Sequence, residues 1–576
     1  MLTVITTAMR RQVMKINSIV GPALASTLMT VPATLLAATY YVSPTGDDTA
    51  AGTQAQPLRS IQRGADVARA GDIVLVAPGV YYEREISIRN GGTATKPVTI
   101  KAAGGGQSVI DHGLRVANWT PTGNGIFAGQ ALFTGRESVG NSTIVRVVID
   151  GVAYRKAANA ATPTSGEFSV TGSTGEIQVF PISGGSPNGR DVIILSETTA
   201  LFPGILIFDD GRGGAVGNVI IDGFVHRGAS TAIWGARFTA NQRPIPVNRN
   251  LTVKNCEIGF NWQYAFRLDN WVGATMDNCN VYENGHVNWP RGENKVTWPH
   301  AIIGFNADRV NILGSKIHDN HGEGVGPYYG SSFWVIRNNE VYDNYSVNIY
   351  VDTDEGNVIV DRNLIYLTGK YQSPGTFGSS KAQFSDGIRI ANERADLESK
   401  DATPLINKIT ITNNIIIGTG DGIMSFPYAN DDGVIGKSGL INSLIANNTI
   451  INTTTGPGTF QTGINVSRGY NVNVFNNISY PQRIRLGAGI GGSVTGGNNL
   501  VKDAAGIEVF NRATSTANVF GVPSFTTGSG FAASNYQLSA GALGINGGRS
   551  NAAVTTDYSG IGRPIGGAYD IGAFEK

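Results

Sequence analysis

Short apolar runs recur along most of the chain, and each is followed by a pair of mostly small or polar residues. The pairs at the corresponding point of each unit are Asn255-Cys256, Asn278-Cys279, Gly314-Ser315, Asn338-Asn339, Arg362-Asn363, Asn413-Asn414, Asn447-Asn448 and Asn476-Asn477. Their second members lie 23, 36, 24, 24, 51, 34 and 29 residues apart, so insertions lengthen a basic period near 23. A repeat of about 20 to 50 residues is typical of solenoids, and strand-rich units with a polar ladder predict a β-helix.

A third strand can be aligned after the ladder in each unit, and its residues alternate. Its second and fourth positions are mostly Ile, Phe, Val or Leu, which predicts that they point inward and that the third and fifth point outward. The third positions form one outward column: Trp234, Arg267, Ile303, Gly326, Tyr350, Arg389, Met424 and Asn465. The fifth positions form another: Ala236, Asp269, Phe305, Tyr328, Asp352, Ala391, Phe426 and Ser467. Just before these strands lie Tyr264, His300, Glu323, Asp386 and Asp421.

Two regions depart from the repeat. From Leu58 to Ala68 apolar residues recur at helical spacing before Gly71, which predicts a cap over the open end of the first coil. Between residues 118 and 201, short alternating strands separated by Gly, Ser and Pro predict an inserted β region, which either shapes one end of a groove or only stabilises the coils. We divide the chain into a signal peptide (1–38), cap and first coils (39–117), insertion (118–201), main β-helix (202–505) and C-terminal coil with a closing segment (506–576).

The N-terminal residues predict export. Basic residues at the start precede an apolar stretch of small residues that ends in Leu35-Leu36-Ala37-Ala38, which resembles a secretory signal. A membrane anchor is the alternative, but Asn17, Ser18, Pro22 and Pro32 interrupt the run. Charged residues make up 15% of the chain and the net charge is +1, so no nucleic-acid surface is predicted. We expect a secreted or periplasmic monomer that does not bind the membrane once the signal is removed.

The two cysteines hold the same ladder position on adjacent coils. Cys256 and Cys279 would then lie about 5 Å apart, close to the Cα separation of a disulfide. Side chains stacked in parallel point the same way, however. A disulfide and a reduced, buried pair both remain open at this point.

The N-terminal motif resembles one that opens many secreted right-handed parallel β-helix proteins. A Tyr-Val-Ser-Pro-x-Gly-x-Asp segment there leads into a helix and then Gly-Asp-x-Val-x-Val-x-x-Gly-x-Tyr; this chain has Tyr41 to Asp48 and then Gly71 to Tyr81. The C-terminal residues from Arg563 to Glu575 resemble the terminal segment of the same proteins. The chain as a whole resembles pectin-lyase-like polysaccharide lyases and glycoside hydrolases, without the motifs of one individual family. The resemblance implies an all-β, right-handed parallel β-helix, and we expect the terminal segment to close the last coil.

The outward face of the third strands predicts a carbohydrate groove. It mixes aromatic, arginine and carboxylate side chains where a solvated solenoid face would carry Lys, Glu, Thr and Ser. Long insertions flank these strands, and such loops on a rigid scaffold usually carry function. The candidate catalytic residues are Arg267, His300, Glu323, Tyr350, Asp352, Asp386 and Arg389. The candidate substrate-binding residues are Trp234, Asp269, Tyr328, Tyr329 and Asn392.

The leading hypothesis is β-elimination on a uronate-containing acidic polysaccharide. Arg389 or Arg267 would neutralise the uronate carboxylate, His300 or a loop lysine would be the base, and Tyr350 the acid. Tyr350 and Arg389 are predicted on adjacent coils, about 5 Å apart. A C5 epimerase shares the proton abstraction, and a non-catalytic glycan-binding β-helix is a further alternative.

Hydrolysis by two carboxylates is the second reaction. Asp386 and Asp421 share a column at about 5 Å, and Glu323 and Asp386 are two coils, about 10 Å, apart. Retaining and inverting glycosidases need about 5 to 5.5 Å and 6.5 to 9.5 Å respectively. The pairs Asp386-Gly387 and Asp421-Gly422 also suit ordinary turns.

Metal binding is left open. Asp352, Asp354 and Glu355 offer oxygen ligands for calcium, although acids at a strand end are more often simply solvated. His318 and His321 with Glu323 offer another ligand set, but their position around Asn320 favours a turn role.

Overall fold

Three long parallel sheets form the body of the protein. The computed structural model describes residues 37–132, 142–158, 162–171, 175–198, 203–209, 216–237, 249–291, 299–352, 356–372, 384–391, 406–425, 439–452, 462–489 and 491–576. In these ranges each coil contributes one strand to each parallel sheet in turn, which confirms the predicted right-handed parallel β-helix. The predicted signal peptide lies almost wholly outside the described residues.

Sheet 1 precedes the ladder pairs and sheet 2 follows them. The strands of sheet 1 are Thr39–Val42, Ile73–Val76, Val98–Ala102, Val219–Asp222, Leu251–Lys254, Val272–Asp277, Asp308–Leu313, Val335–Arg337, Ile359–Asp361, Thr410–Thr412, Leu444–Ala446, Val472–Phe475, Val494–Gly497 and Thr514–Thr516. The strands of sheet 2 are Gly79–Tyr82, Ser108–Asp111, Val225–Arg227, Glu257–Gly259, Asn280–Tyr282, Lys316–His318, Glu340–Tyr342, Leu364–Tyr366, Ile415–Ile417, Thr449–Ile451, Ile478–Tyr480, Leu500–Val501 and Val519–Phe520.

Sheet 3 contains the strands predicted to carry the groove. They are Ile86–Ile88, Pro203–Asp209, Thr231–Arg237, Tyr264–Asp269, His300–Phe305, Glu323–Tyr328, Val347–Asp352, Asp386–Ala391, Ile423–Ser425, Thr462–Tyr470, Arg483–Ala488 and Ile507–Phe510, with Ile406–Asn407 and Leu440–Ile441 at one edge. The predicted inward residues, among them Phe266, Leu268, Ile349 and Ile388, are fully buried. Burial of such a side chain contributes about 1.5–3 kcal/mol, so the inward columns form the core.

The ladder pairs turn the chain between sheets 1 and 2. The first members, such as Asn338 and Asn413, adopt positive φ angles of 58° and 54°, a conformation that asparagine tolerates. The second members stack their amides: Asn363 Nδ2 donates to Asn414 Oδ1 at 2.9 Å, and Asn414 Nδ2 donates to Asn448 Oδ1 at 3.0 Å. The amide ladder supplies partners for backbone groups that these turns leave without a strand.

The ladder continues one coil beyond its predicted end. Asn477 Nδ2 donates to Asn499 Oδ1 at 3.1 Å. The preceding strand, Val494–Gly497, ends in two glycines, and for that reason the apolar pattern did not reveal this coil. A second, unpredicted amide ladder runs through Asn261, Asn284, Asn320, Asn344 and Asn348, between sheets 2 and 3.

The N-terminal cap contains the helix Ile61–Val67. Ser60 caps it by accepting a hydrogen bond from Arg63 N at 3.1 Å, and Glu83 accepts from the first two helical amides at 2.7 and 2.9 Å. A Cβ on Gly64 would lie 2.5 Å from Val74 Cγ1, so the helix packs directly on sheet 1. The predicted cap helix is thus present.

A mostly antiparallel sheet, called the antiparallel sheet below, interrupts the coils between residues 115 and 198; within it Val152–Lys156 and Glu167–Thr171 run parallel. Its strands are Arg115–Val116, Thr120–Gly123, Ile126–Leu132, Ser142–Ile149, Val152–Lys156, Glu167–Thr171, Glu176–Val179 and Val192–Thr198. One face buries its own core around Trp119, Tyr154 and Phe168, and the other packs on Phe260 and Trp262 of the coils. The sheet therefore flanks the turns that lead into sheet 3.

The C-terminal segment covers a face of the β-helix. We expected it to close the last coil, but the structure places Tyr536, Leu538, Ile571 and Phe574 against the outer side of sheet 2. They pack on outward apolar residues that sheet 2 carries from Leu364 to Leu500. Apolar residues on an outer face are unfavourable when they contact water. Burial of these residues under the C-terminal segment is therefore what holds the segment on sheet 2. The short 3-10 turns in the described ranges are His286–Asn288, Ala504–Gly506 and Ala533–Tyr536.

The cysteines are reduced. Cys256 and Cys279 are both buried, and each thiol lies near a carbonyl of its own coil, at 3.2 Å from Lys254 O and 3.4 Å from Asp277 O.

Among the helices that the structure describes, none is long and apolar enough to span a membrane.

Candidate active site

The strand register of sheet 3 aligns the outward columns as predicted. Trp234 pairs with Arg267, Arg267 with Ile303, and Ile303 with Gly326. Tyr350 pairs with Arg389 on the next coil. The second column is also in register, with Asp269 beside Phe305, Phe305 beside Tyr328, and Tyr328 beside Asp352. Period-two alternation and the ladder fix this register, since a shift of one residue would expose every inward side chain.

A histidine and a tyrosine face each other across a glycine. A Cβ on Gly326 would lie 2.3 Å from Cδ2 and 2.6 Å from Nε2 of His300, so the imidazole occupies the space above this glycine. The rings of His300 and Tyr350 are parallel within 8°, with centroids 6.3 Å apart. His300 is 3% exposed and Tyr350 5%. Two groups able to transfer protons thus lie on one face of the sheet.

Glu323 lies beside the imidazole. Its Oε2 is 2.7 Å from Nε2 of His300, on the adjacent strand. The contact lacks hydrogen-bond geometry, and among the described residues none hydrogen-bonds to either ring nitrogen. The carboxylate, itself only 4% exposed, is thus the charged group in contact with the ring.

Arg389 forms an ion pair with Asp386. Its Nε donates to Asp386 Oδ2 at 2.8 Å, and Nη2 contacts the same oxygen. Burial raises the pKa of Asp386 to about 6, partly opposed by Arg389 and reinforced by Asp421. The guanidinium side chain is 25% exposed, more than the groups around it. It is therefore the charged group best placed to meet an anionic ligand.

Asp421 belongs to the coil framework. Its Oδ1 accepts hydrogen bonds from Thr462 N and Thr462 Oγ1, both at 2.8 Å, and the residue is 0% exposed. Its own amide donates to Asp386 Oδ1 at 3.1 Å. This arrangement favours the turn role for Asp421 over a role as the second carboxylate of a retaining hydrolase.

Arg267 forms a separate group on the strand before the one that carries His300. Its Nε donates to Asp269 Oδ2 at 2.9 Å, and Trp234 Nε1 donates to the same oxygen at 2.5 Å. The guanidinium also lies 4.8 to 5.2 Å from the ring centroids of Trp234, Tyr264 and Phe305. The structure therefore does not bring Arg267 to His300, and of the two arginines only Arg389 neighbours Tyr350.

Aromatic rings line the face between these two groups. Tyr328 and Tyr329 stack with centroids 4.0 Å apart, and Phe305 meets Tyr328 edge-on at 5.2 Å. Asp352, predicted as catalytic, is 1% exposed and lies between Tyr328 and Ala391 in the register. Asn392, predicted to bind substrate, lies outside the described residues, as do Asp354 and Glu355 of the suggested calcium cluster.

A histidine pair occupies the turn that leads into sheet 3. The possible ligand atoms of Glu283, His286 and His321 all lie within 4.8 Å of one another. Arg291 Nε donates to His321 Nδ1 at 3.3 Å, which puts the proton of a neutral His321 on Nε2, 2.7 Å from Glu283. Burial lowers the pKa of both histidines, and Arg146 adds to this. Two nearby guanidinium groups disfavour a cation here, so we interpret the cluster as part of the turn. His321 makes no hydrogen bond to His318 or Glu323 within the described part of the chain, so the predicted ligand set is not assembled.

Two features of the site were missed from the sequence. Gly326 is the one glycine in a column of larger side chains. A glycine at such a position indicates that a neighbouring side chain fills the space, here the imidazole of His300. Glu283 and His286 reach His321 from an inserted turn, where spacing gives no indication of contact. Loop geometry depends on packing and not on the repeat.

Comparison with known proteins agrees with the architecture. Residues 203–426 match a family described as "Right handed beta helix region", and residues 44–87 match "Protein of unknown function (DUF1565)". "Pectate lyase PEL9" of Emericella nidulans is 44% identical over 78 residues, which is 13% of this chain and 19% of that protein. "Uncharacterized protein YwoF" of Bacillus subtilis is 35% identical over 78 residues, 14% of this chain and 16% of that protein. The matches thus span less than a fifth of either relative.

A solved structure shares the fold over nearly its whole length. The complex of XylC with xylose superposes with a TM-score of 0.54 at 14% identity, covering 93% of this chain and 98% of that one. At this identity the likeness concerns the fold alone. Together with the match to the right-handed β-helix region and the observed coils, it shows that the chain has the right-handed parallel β-helix fold.

Proposed function

We propose that this protein is an exported enzyme that cleaves a uronate-containing polysaccharide by β-elimination. The single observation that carries the proposal is the pair of parallel rings, His300 and Tyr350, above Gly326, with Arg389 on the next coil. Elimination needs a base for the C5 proton, an acid for the leaving oxygen and a cation for the carboxylate. These three residues supply one of each.

The roles follow from the contacts. The imidazole of His300 takes the C5 proton, with Oε2 of Glu323 2.7 Å from Nε2 of the ring. Tyr350 donates its phenolic proton to the leaving oxygen. Both rings approach the sugar from the same face of the sheet, which suits a syn elimination.

Arg389 would neutralise the uronate carboxylate. A protonated guanidinium opposite the carboxylate makes the C5 proton more acidic, because it stabilises the charge that develops as the proton leaves. Asp386 holds the guanidinium beside Tyr350 through Oδ2. Low exposure of the groups strengthens each of these electrostatic effects.

Two comparisons support an activity on polysaccharide. One curated relative is called a pectate lyase, and a solved structure of the same fold was determined with xylose. The aromatic face formed by Phe305, Tyr328 and Tyr329 is also suited to sugar rings.

The test is a panel of uronate polymers, pectate and alginate among them, read as the absorbance of the unsaturated product. We expect Tyr350→Phe and His300→Ala each to lower kcat by about 10²–10⁴-fold, the usual contribution of a general acid or base. Tyr342→Phe, in the sheet 2 stack between His318 and Tyr366, is the matched control and should retain activity. New reducing ends without the absorbance would overturn the lyase proposal.

Hydrolysis with Asp386 as general acid is the second candidate. It is favoured by the pKa of Asp386, raised by burial to about 6, which leaves part of the carboxyl protonated near neutrality. Glu323 lies two strands away through Val347, about 10 Å by strand spacing. This reaction would yield reducing ends, decline above about pH 6 as Asp386 loses its proton, and be lost in Asp386→Asn.

A further inference from the structure

A cleft lies where the antiparallel sheet meets the turns that lead into sheet 3. Its volume is about 430 Å³, and its lining includes Arg146, Arg155, Lys156, Trp262 and Trp289. We propose that this cleft is a binding subsite for a uronate residue of an acidic glycan, separate from the His300–Tyr350 site. That the ligand is a uronate rests on the proposed function. That the ligand is an anion follows from the contacts described below.

Arg146 is a buried cation without a carboxylate partner. It is 6% exposed, and its Nη1 and Nη2 donate at 3.1 Å only to carbonyl oxygens, those of Tyr154 and Trp289. Nε has no hydrogen-bond partner, and no acid lies within ion-pair distance among the described residues. A buried charge without a counter-ion is destabilising, and an anion in the cleft would remove that cost.

The cation is held in place by an indole ring. The guanidinium of Arg146 lies 4.1 Å from the Trp289 ring centroid, and that of Arg155 lies 5.5 Å from it. Burial and the charge of Arg155 lower the pKa of Arg146 to about 9. Arg146 thus stays charged at neutral pH, and two positive groups are fixed on one ring.

The other charged residues that line the cleft are mostly basic as well. Arg155 and Lys156 are exposed, and Glu167 is the one acid among the lining residues that the structure describes. Glu167 Oε2 already accepts hydrogen bonds from Thr164 N and Thr164 Oγ1, both at 2.8 Å. Three basic groups against one engaged carboxylate favour an anionic ligand.

The cleft also offers an apolar surface for a sugar ring. Trp262 is partly exposed at the turn before strand Tyr264–Asp269. An indole beside a guanidinium suits a uronate, whose ring stacks while its carboxylate forms charge-assisted hydrogen bonds.

Chain order relates the cleft to the site. Trp262 lies one coil before the strand that carries His300, and Trp289 lies in the connection that leads into that strand. A polysaccharide that follows the coils past His300 toward the N-terminal end would therefore reach the cleft. We infer that it binds the same glycan at a distance from the bond that is cleaved.

The experiment uses the full chain with Tyr350→Phe, so that the glycan is not consumed. Hexagalacturonate and hexamannuronate are titrated calorimetrically into this protein and into a version that also carries Arg155→Gln and Lys156→Gln. We expect the Kd of at least one of them to rise about tenfold, the equivalent of about 1.4 kcal/mol. The control carries Lys101→Gln and Lys316→Gln, whose side chains are 52% and 60% exposed elsewhere on the surface, and should bind as the parent does.

The outcomes separate the two proposals. In the active enzyme, loss of the subsite should raise KM with little change in kcat, since the lost contacts are remote from the reacting atoms. Binding that depends on Arg155 and Lys156 in a protein that cleaves no uronate polymer would retain the subsite and overturn the function. Equal affinity of the two proteins, or no saturable binding of either hexamer, would overturn the subsite.

Discussion

At the scale of single residues, Gly326 decides whether the proposed catalytic pair can exist. Every other member of its column carries a side chain, and His300 fills the space that is left. The imidazole can lie parallel to Tyr350 because Gly326, on the strand between them, carries no side chain. The missing side chain of Gly326 thus allows His300 and Tyr350 to face each other.

We predict that Gly326→Ala abolishes most activity and leaves the protein folded. The new Cβ would lie 2.3 Å from His300 Cδ2, so the imidazole must move, whereas the strand conformation accepts alanine. A displacement of about 1 Å at the reacting groups can cost about 10²-fold in rate. Steady-state kinetics and thermal unfolding together check this. Gly562→Ala, with no atom within 4 Å of the added carbon, is the control, and wild-type rates in Gly326→Ala would contradict the proposed geometry.

The sequence predicted which residues lie side by side on adjacent strands, but it did not predict which side chains form ion pairs. Tyr350 beside Arg389 followed from strand alternation and coil register, and the structure confirms it. Asp386 as the partner of Arg389 did not follow, because both belong to one strand and the contact depends on side-chain rotamers. Arg267 was expected at the same site, but Asp269 in its own strand holds it among aromatic rings.

At the scale of elements, the asparagine ladder replaces strand hydrogen bonds at the tightest turns. Each buried amide bonds the backbone of the coil before it and the amide of the coil after it. Asn414 Oδ1 accepts from Asn363 N at 3.0 Å, and Asn414 Nδ2 donates to Val360 O at 2.9 Å and to Asn448 Oδ1 at 3.0 Å. Buried polar groups of this kind stabilise only when every one has its partner. The ladder is therefore sensitive to the loss of any rung.

Asn414→Ala should lower the free energy of unfolding by about 3–5 kcal/mol. It removes the acceptor of Asn363 N and of one Asn363 Nδ2 hydrogen, and the Nδ2 donor to Val360 O, at a fully buried position, at about 1–3 kcal/mol for each lost partner. Urea denaturation followed by circular dichroism measures the change. The matched control is Asn473→Ala on sheet 1, whose side chain is partly exposed. Equal effects of the two substitutions would show that the amide stack contributes little.

The elements that the sequence missed are those without the apolar repeat. The coil at Asn499 follows a strand with two glycines, and the second amide ladder lies in turns of unequal length. Fold class and register survive such irregularities because many coils share one pattern. A single turn has no such redundancy, so its contacts are decided by packing alone.

At the scale of the whole molecule, the C-terminal segment connects coils that are far apart in sequence. Arg563 Nη2 donates to Asn413 Oδ1 across 150 residues, and Asn447 Nδ2 donates to Asp570 O across 123 residues. Arg563 also pairs with Glu575 at 2.6 Å, with both side chains 0% exposed. In a plain solenoid each coil contacts only the coils next to it. This segment adds contacts between coils that are not neighbours.

Arg563→Ala should destabilise the protein by about 3–5 kcal/mol, because it leaves the Glu575 carboxylate buried without its partner. The double variant Arg563→Met with Glu575→Gln should recover much of the loss. Hydrogen exchange at strands Ile415–Ile417 and Thr449–Ile451, beneath the segment, would report the loosening. Arg483→Ala breaks a surface pair with Glu508 and should cost less than about 1 kcal/mol; a similar cost for both arginines would argue against a tightly held segment.

The return of the last residues onto earlier coils also sets an order of events in folding. A solenoid can add coils one after another as its chain emerges, since each needs only the coil before it. Here the outer face of sheet 2 keeps apolar residues such as Ile417 and Ile451 uncovered until residues 536–574 dock on them. Before this docking the chain exposes an apolar surface that favours aggregation, and afterwards that surface is buried. We therefore expect docking of this segment to be the step that protects the coils from aggregation and proteolysis.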